Sequence, residues 1–267
     1  RIAELELGVR FPRLGDWQSD HAQPTFQQLE AFARATHGPF GDLFLPEPPE
    51  EPLPLADFRE RSPGPPSGDL LDTIYAAQRR QDWFKEYATS ERLDAVEWVG
   101  AATLSHEPSD VAAQLRGRLG FEPGQRGEHS SWETATRALA DRVQALGVVV
   151  SVSGIVGSNT RRKLDPREFR GFSLVDPLAP YVFVNGADPK AAHAFTLCHE
   201  LAHLALGRPG LSNEDLGEFR HEQVEVWCDA VASEILAPSE YVTAARDERG
   251  VRRVADEVAR ELRVSPL

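Results

Sequence analysis

The sequence predicts an α+β fold that is mainly helical and contains a small three-stranded sheet. Three short, strand-like apolar runs lie close together in the second half of the chain, at residues 148–152, 172–175 and 181–185. Helical patterns precede these runs, and two further helical patterns follow them, at 189–206 and 222–236. Strands grouped between helices are typical of a compact α+β unit, which we place at residues 130–267.

Residues 1–45 predict short helices joined by turns. Ile2 to Leu7 repeats apolar residues at helical spacing, and Thr25 with Gln28 fits a capping box that opens a further helix. This arrangement resembles the last part of an XRE-type helix-turn-helix module, and the resemblance implies DNA binding through these helices. Residues 1–22 hold three arginines and four acids, so the positive charge expected of a DNA-binding surface is absent. A small helical packing unit is therefore the alternative.

The segment from Pro46 to Pro66 contains eight prolines in 21 residues. Proline at this density blocks both helix and central strand. We predict an extended tether over residues 46–68 that lies along the surface, with a mobile linker as the alternative.

Residues 69–122 predict a helical domain. Asp69 is a candidate cap for a long helix, Glu91 to Leu104 reads as a second helix, and Pro108 opens a third. We assign four aromatic residues of this segment to the core, with binding of a partner or substrate as the alternative: Trp83, Phe84, Tyr87 and Trp98.

An H-E-x-x-H motif, His199-Glu200-x-x-His203, lies in an apolar helical run. Two histidines four residues apart can point their imidazoles at one metal ion, and the glutamate can take a proton from water that the metal activates. Asp188 as the cap and Gly207 after the last turn delimit the helix, so the histidines lie mid-helix, where unpaired imidazoles would be costly to bury. The pattern therefore favours a zinc site over two unrelated surface histidines.

A catalytic zinc ion needs a third protein ligand and leaves one position to water. Glu225 and Asp229 lie four residues apart on the next predicted helix, so both can face the first. Glu225 suits direct ligation, whereas Asp229 suits accepting the N–H of a zinc-bound histidine and fixing its tautomer. His221 lies on the same face and is a candidate contact to substrate, with a solvated histidine as the alternative.

Two separated segments resemble the motifs of the ImmA/IrrE metallopeptidases. The run Phe195 to His203, FTLCHELAH, is similar to that family's F-T-L-A-H-E-x-x-H helix, and the run Glu225 to Pro238 resembles its second motif, E-x-x-A-N-x-F-A-x-x-L-L-x-P. Tyr181 to Asn185 resembles the strand, ending in asparagine, that precedes the metal helix. The chain departs from the second motif at three positions: Cys228 for alanine, Asp229 for asparagine and Val231 for phenylalanine.

The resemblance covers roughly residues 132–240 and implies a zinc-dependent endopeptidase with a zincin-like core that cuts a transcriptional repressor in bacteria. It implies one zinc ion per chain on His199, His203 and Glu225, with Glu200 as the base. We expect Glu200 to accept a proton from the attacking water and then to protonate the leaving amine. Zinc, helped by His221 or Tyr181, would stabilise the oxyanion.

Two further features predict contacts with the substrate. If the strand at 181–185 is an edge strand, its free backbone groups can pair with an extended peptide, and Asn185 at its end is a candidate contact. The loop at 159–166 carries Arg161 and Arg162, which can hold an acidic substrate segment, nucleic acid or a ligand. A solvated surface loop is the alternative for this basic cluster.

Composition excludes several classes of protein. No apolar run approaches the ~18 residues of a membrane span, so we expect no membrane role. The formal net charge of −13 argues against a body that binds nucleic acid, although it leaves room for one small DNA-reading module. The two cysteines, Cys198 and Cys228, are too few for a disulfide framework and suit the reducing cytoplasm.

The alternative function is a DNA-binding or ligand-sensing regulator in which the metal site is structural or vestigial. Glu200 disfavours this alternative, because a purely structural site needs no base. The sequence therefore predicts a zinc metallopeptidase whose partner is a protein substrate, a repressor or a similar regulatory protein.

Overall fold

The computed structural model describes residues 4–36, 38–47, 66–208, 218–244 and 258–264. The described chain confirms the predicted fold class, since it is mainly helical with a small three-stranded sheet. In chain order the helices and strands are α1 (Glu4–Arg10), α2 (Leu14–Gln18), α3 (Phe26–Thr36), α4 (Gly68–Ser90), α5 (Pro108–Leu119), α6 (Trp132–Ala145), β1 (Val149–Ser153), β2 (Gly171–Leu174), β3 (Tyr181–Asn185), α7 (Lys190–Leu206), α8 (Glu218–Leu236) and α9 (Ser239–Ala244). Within the described residues, 3₁₀ helices lie at Phe40–Phe44 and Pro123–Glu128.

The sheet has the strand order β1-β3-β2. β1 is parallel to β3, with Val149 opposite Tyr181, and β2 is antiparallel to β3, with Gly171 opposite Val184. The expectation that the strand at 181–185 is an edge strand is therefore wrong, because β3 is the central strand. All five of its residues are buried, which explains its uninterrupted apolar run.

The two faces of β3 pack into two different cores. Val182 and Val184 belong to a core shared with α5, α6, α7 and α8, whereas Tyr181 and Phe183 belong to a second core with α4. The side chains alternate between the faces, as the pleat of a strand requires. Residues from the predicted helical domain and from the predicted peptidase unit thus bury apolar surface together.

The segment at 91–107 is not helical, so the second helix predicted in the helical region is wrong. Its backbone pairs with the end of α7 instead: the N–H of Gly100 donates to Leu204 O, and that of Ala102 donates to Ala205 O. These bonds satisfy groups that a helix would satisfy internally, so tertiary contacts override the helical spacing. The long helix α4 forms as predicted, but Ser67 caps it rather than Asp69, since Ser67 Oγ accepts from Leu70 N at 3.1 Å.

The ends of α7 agree with the sequence to within one residue. The helix starts at Lys190, with Pro189 rather than Asp188 in the cap position, and Gly207 closes it with a φ of 63°. α8 packs beside α7, and its carboxyl end is held by Arg126, a buried side chain that donates to the carbonyls of Ile235 and Leu236.

Three aromatic rings pack together among the amino-terminal helices. The ring centroid of Phe11 lies 5.4 Å from that of Phe32 and 6.0 Å from that of Trp17. The helix-turn-helix module, DNA binding and the domain boundaries stay predictions. Most of the predicted tether, residues 48–65, lies outside the described residues. Among the helices that the structure describes, none combines the length and apolar character needed to cross a membrane.

Candidate metal centre and cleft

Helices α7 and α8 bring His199, His203 and Glu225 together. The two histidine Nε2 atoms lie 3.0 Å apart. Glu225 Oε2 lies 3.3 Å from Nε2 of His199, and its Oε1 lies 3.1 Å from Nε2 of His203. One turn of α7 separates the histidines, so the i,i+4 spacing places both rings on the face that meets α8.

These distances fit a single metal ion. Ligand atoms about 2.0–2.1 Å from one tetrahedral ion lie about 3.3 Å from each other. The three observed separations are 3.0, 3.1 and 3.3 Å. Two imidazoles and one carboxylate also form a donor set that suits a transition-metal ion and leaves a fourth position open. The residues are therefore a candidate metal site.

Asp229 lies one turn beyond Glu225 on α8, and its Oδ1 is 2.8 Å from Nδ1 of His199. With the Nδ1 proton donated to Asp229, Nε2 of His199 keeps its lone pair directed at the candidate site. The other histidine lacks such a partner, because Nδ1 of His203 is buried without a hydrogen bond among the described residues. The carboxylate of Asp229 thus orients one of the two rings.

The charges of the triad are strongly coupled. Burial opposes ionisation of Glu225, but its contacts with His199 and His203 outweigh burial and lower the pKa of Glu225 well below its usual range. Burial likewise opposes protonation of His199, but the bonds to Asp229 and Glu225 raise the pKa of His199 to about 10. Both shifts indicate a carboxylate-rich site that favours a positive charge between these groups.

The carboxyl group of Glu200 lies in close contact with the sheet. An added Cβ at Gly171 would lie 3.2 Å from Glu200 Oε1, so β2 passes directly beside the carboxyl group. Burial raises the pKa of Glu200, while the neighbouring His203 and His199 lower it. The hydroxyl of Ser173 also lowers this pKa, although it makes no hydrogen bond of good geometry. A carboxyl group poised in this way suits proton transfer.

A cavity of about 390 Å³ opens beside Glu200. Its walls come from the segment that leads into β2, from α7 and from α8: Pro166, Arg167, Phe169, Arg170, Gly171, Phe195, Thr196, His199, Glu200 and Asp229. The cleft therefore joins the candidate metal site to the edge of the sheet.

Several predicted substrate contacts lie elsewhere. Asn185 is fully buried and uses its amide inside the fold, donating to Phe169 O and accepting from Ala187 N. Tyr181 is also fully buried, and its hydroxyl donates to Ser151 Oγ at 2.7 Å. Neither residue lines the cleft, so the structure gives Asn185 a role in holding the loop before β2 and Tyr181 a role in the second core.

The two arginines of the basic cluster, Arg161 and Arg162, are not among the residues that line the cleft. Arg162 is bound to α4, with Nε 2.8 Å from Asp69 Oδ1 and Nη2 2.7 Å from Asp72 Oδ2. Arg161 is exposed. The side chain of His221 lies outside the described residues, so its contact with substrate stays a prediction.

The sequence reasoning missed seven residues of the cleft: Pro166, Arg167, Phe169, Arg170, Gly171, Phe195 and Thr196. Gly171 carried a usable signal, because a glycine at the start of a strand-like run marks close approach of another group. The two arginines looked like ordinary loop residues, and Phe195 looked like one more apolar position of the metal helix. Only the packing of α7 on β2 brings them to one surface.

Comparison with protein families finds a match in the carboxyl-terminal half of the chain. Residues 143–267 match Peptidase_M78, the IrrE N-terminal-like domain. The match covers slightly less than half of the chain and contains β1 to β3 and both helices of the candidate metal site. It supports the resemblance to ImmA/IrrE peptidases over this part of the chain. A search of curated proteins finds no significant match.

Proposed function

We propose that this protein is a zinc-dependent endopeptidase of the ImmA/IrrE type. The observation that carries the proposal is the convergence of His199, His203 and Glu225 from two helices, with Glu200 buried beside them. The family match to a peptidase domain over the same residues supports it. The substrate that we propose, a transcriptional repressor or a similar regulatory protein, rests on the resemblance of the two helix motifs to those of ImmA/IrrE peptidases.

The residues of the site have different roles in the proposed hydrolysis. His199, His203 and Glu225 would hold the zinc ion, and Asp229 would keep the ring of His199 in the binding orientation. When bound, the ion supplies Lewis acidity at the scissile carbonyl. Glu200 accepts the proton of the attacking water and returns a proton to the leaving amine, a role that its burial and raised pKa support.

The strand that faces this chemistry is β2. In the described part of the chain, no strand pairs with the side of β2 that faces away from β3. The N–H of Asn185 donates to Arg170 O at 2.7 Å, so Arg170 and Asn185 form a hydrogen-bonded pair. Bonded and non-bonded pairs alternate in an antiparallel ladder, so the N–H and C=O of Gly171 and Ser173 point away from β3.

These outward groups can pair with an extended peptide. Gly171 lies beside the carboxyl of Glu200, so a substrate residue paired with Gly171 places its peptide bond next to the base. We therefore propose that substrate binds to the edge of β2 and not, as predicted from the sequence, to β3. The absence of a side chain at Gly171 leaves room for Glu200 against the strand.

The test begins with metal binding. Chelator-treated protein should bind one equivalent of zinc in a calorimetric titration, and Glu225→Ala should lose most of this affinity because it removes one of three ligands. Glu240→Gln, a change of the same charge on an exposed residue of α9, is the control and should bind zinc normally. Binding by wild type and Glu225→Ala with equal affinity would reject the proposed ligand set.

Cleavage is the second readout. Candidate repressors and a synthetic peptide library should be cut by the zinc-loaded protein, with fragments identified by mass spectrometry. Chelator should stop the reaction, and zinc should restore it. A protein that binds zinc tightly at this site but cuts no member of either set would favour the structural-site alternative.

A further inference from the structure

Two arginine side chains, Arg167 and Arg170, line the cleft beside Glu200, from the segment that leads into β2. The same lining includes the acidic side chains Glu200 and Asp229. The chain as a whole is acidic, with a formal net charge of −13. Two arginines at a cleft that reaches the candidate base therefore need an explanation.

The two arginines differ in how many of their guanidinium N–H groups already have a hydrogen-bond partner. Arg167 is held by Asp165, with Nε 3.0 Å from Oδ1 and Nη2 2.8 Å from Oδ2. Arg170 Nε lies 3.9 Å from Asp188 Oδ2, which is too long for a hydrogen bond. Among the described residues Arg170 makes no shorter ion pair, and 58% of its side chain is exposed. Its guanidinium donors are thus available to a ligand.

Asp188 holds Arg170 in place without using those donors. It is 7% exposed, and its Oδ2 makes no hydrogen bond within the described chain. A carboxylate in such a poorly solvated position attracts a guanidinium group over several ångströms. The buried charge therefore favours an Arg170 that stays near the rim of the cleft while its outer N–H groups face solvent.

We propose that Arg170 binds an acidic side chain of the substrate, so that the cleft selects extended peptides with aspartate or glutamate at one fixed position beside the scissile bond. The inference rests on the peptidase function proposed above and names its substrate class. A guanidinium group recognises a carboxylate through two parallel hydrogen bonds, which neutral side chains cannot match. Arg167, already neutralised by Asp165, contributes less to the selection.

The sheet geometry fixes the position of this acidic residue. Side chains of directly opposed residues on neighbouring strands lie on the same face of a sheet. A peptide paired along β2 therefore places the residue opposite Arg170 next to the one that pairs with Gly171, whose backbone lies beside Glu200. The preference should appear at a single place relative to the cut, not as a general attraction for negative peptides.

Phe195 makes another wall of the cleft apolar. Phe195 is 36% exposed, and its ring centroid lies 6.4 Å from that of His199, one turn away on α7. An exposed phenylalanine favours an apolar side chain, so the acidic and apolar requirements of the cleft are separated in space.

The experiment uses the zinc-loaded full chain and a synthetic peptide library with all residue types varied around a central bond. Cleavage sites are mapped by mass spectrometry. We expect aspartate and glutamate to be enriched about two- to fivefold at one position, because a partly exposed ion pair discriminates only modestly. Arg170→Glu should replace this preference with one for lysine and arginine at the same position, and Arg170→Gln should abolish it.

A matched variant controls for overall charge. Arg137→Glu makes the same charge change on the exposed face of α6, outside the cleft, and should leave the profile unchanged. Enrichment that is spread over several positions, or that Arg137→Glu alters as much as Arg170→Glu, would overturn the inference in favour of general electrostatic attraction.

A binding arm separates this inference from the peptidase function. Immobilised, zinc-loaded Glu200→Gln is exposed to the same library, and the retained peptides are sequenced. Retention of acidic peptides that depends on Arg170 supports the subsite even if the wild type cuts slowly. Cleavage without an acidic preference overturns the subsite alone, whereas a chain that neither cuts nor retains any peptide overturns both proposals.

Discussion

Asp229 Oδ1 lies 2.8 Å from Nδ1 of His199, across the contact between α7 and α8. The same face of α8 carries Glu225 one turn earlier. One helix thus supplies both a candidate ligand and the carboxylate that orients a candidate ligand on its neighbour. Any shift of α8 along α7 would disturb both contacts at once, so the packing of these two helices sets the geometry of the site.

The first prediction concerns this orienting contact. Asp229→Ala should weaken zinc binding about 10–100-fold, because His199 loses the acceptor that fixes its tautomer and ring position. Asp229→Asn should weaken it much less, since an amide oxygen can still accept from Nδ1. Competition with a chromophoric chelator measures both affinities, and Glu240→Gln is the control. If Asp229→Ala binds zinc as tightly as the wild type, Asp229 has no orienting role.

The second prediction separates metal binding from catalysis. Glu200→Gln should keep the zinc affinity of the wild type, because Glu200 is not one of the three converging ligands. Its rate of peptide cleavage should fall about 10²–10⁴-fold, since an amide cannot accept the proton of the attacking water. Calorimetry and single-turnover cleavage give the two quantities on the same preparation. Cleavage at the wild-type rate would show that another group is the base.

The candidate metal site could be predicted from the sequence because its chemistry depends on local spacing. Residues four apart on a helix share a face whatever the rest of the fold does, so His199 with His203, and Glu225 with Asp229, could be paired from the sequence alone. The strands were predictable for a similar reason, since their apolar runs are short and bounded by turns.

The cleft could not be predicted, because it depends on the order of strands in the sheet. The local pattern of residues 181–185 does not indicate how many strands pair with this one. The strand is buried on both faces because each face packs into a separate core. The placement of Arg170 and Phe195 follows from that order. The helix predicted from Glu91 to Leu104 fails for a similar reason, since the N–H groups of Gly100 and Ala102 donate to carbonyls of α7.

The third prediction concerns the buried guanidinium at the end of α8. Arg126 donates from Nε and Nη2 to Phe121 O at 3.1 and 3.0 Å, and from Nη2 to Ile235 O at 2.6 Å. Nη1 donates to Leu236 O and Leu262 O, so carbonyls rather than an acid balance its charge, and burial lowers the pKa of Arg126 to about 10. The side chain therefore ties α8 to the segment at 258–264.

Arg126→Met should lower the free energy of unfolding by about 3 kcal/mol or more, because several buried carbonyls lose their donors together. Arg126→Lys should be intermediate, since one ammonium group cannot reach all four carbonyls. Urea unfolding measures both. Arg137→Met, on the exposed face of α6, is the control and should change the free energy by less than about 0.5 kcal/mol. If Arg126→Met and Arg137→Met lowered the free energy of unfolding equally, Arg126 would have no structural role.

The fourth prediction concerns the strand that meets the base. An added Cβ at Gly171 would lie 2.6 Å from Thr196 Cγ2, 2.8 Å from Phe183 O and 3.2 Å from Glu200 Oε1. Gly171→Ala should therefore destabilise the protein by about 1–3 kcal/mol and slow cleavage, because β2 must move away from α7. Urea unfolding and cleavage rates measure the two effects.

A second substitution distinguishes crowding from other causes. Thr196→Ser removes the closest atom, so Gly171→Ala combined with Thr196→Ser should recover part of the lost stability, while the contact with Phe183 O keeps the rescue incomplete. Gly117→Ala, in α5 with no atom within 4 Å of the added Cβ, should instead stabilise by about 0.5–1 kcal/mol. If Gly171→Ala stabilises the protein as Gly117→Ala does, then β2 is not in close contact with Glu200, and a substrate residue paired with Gly171 would not lie next to the base.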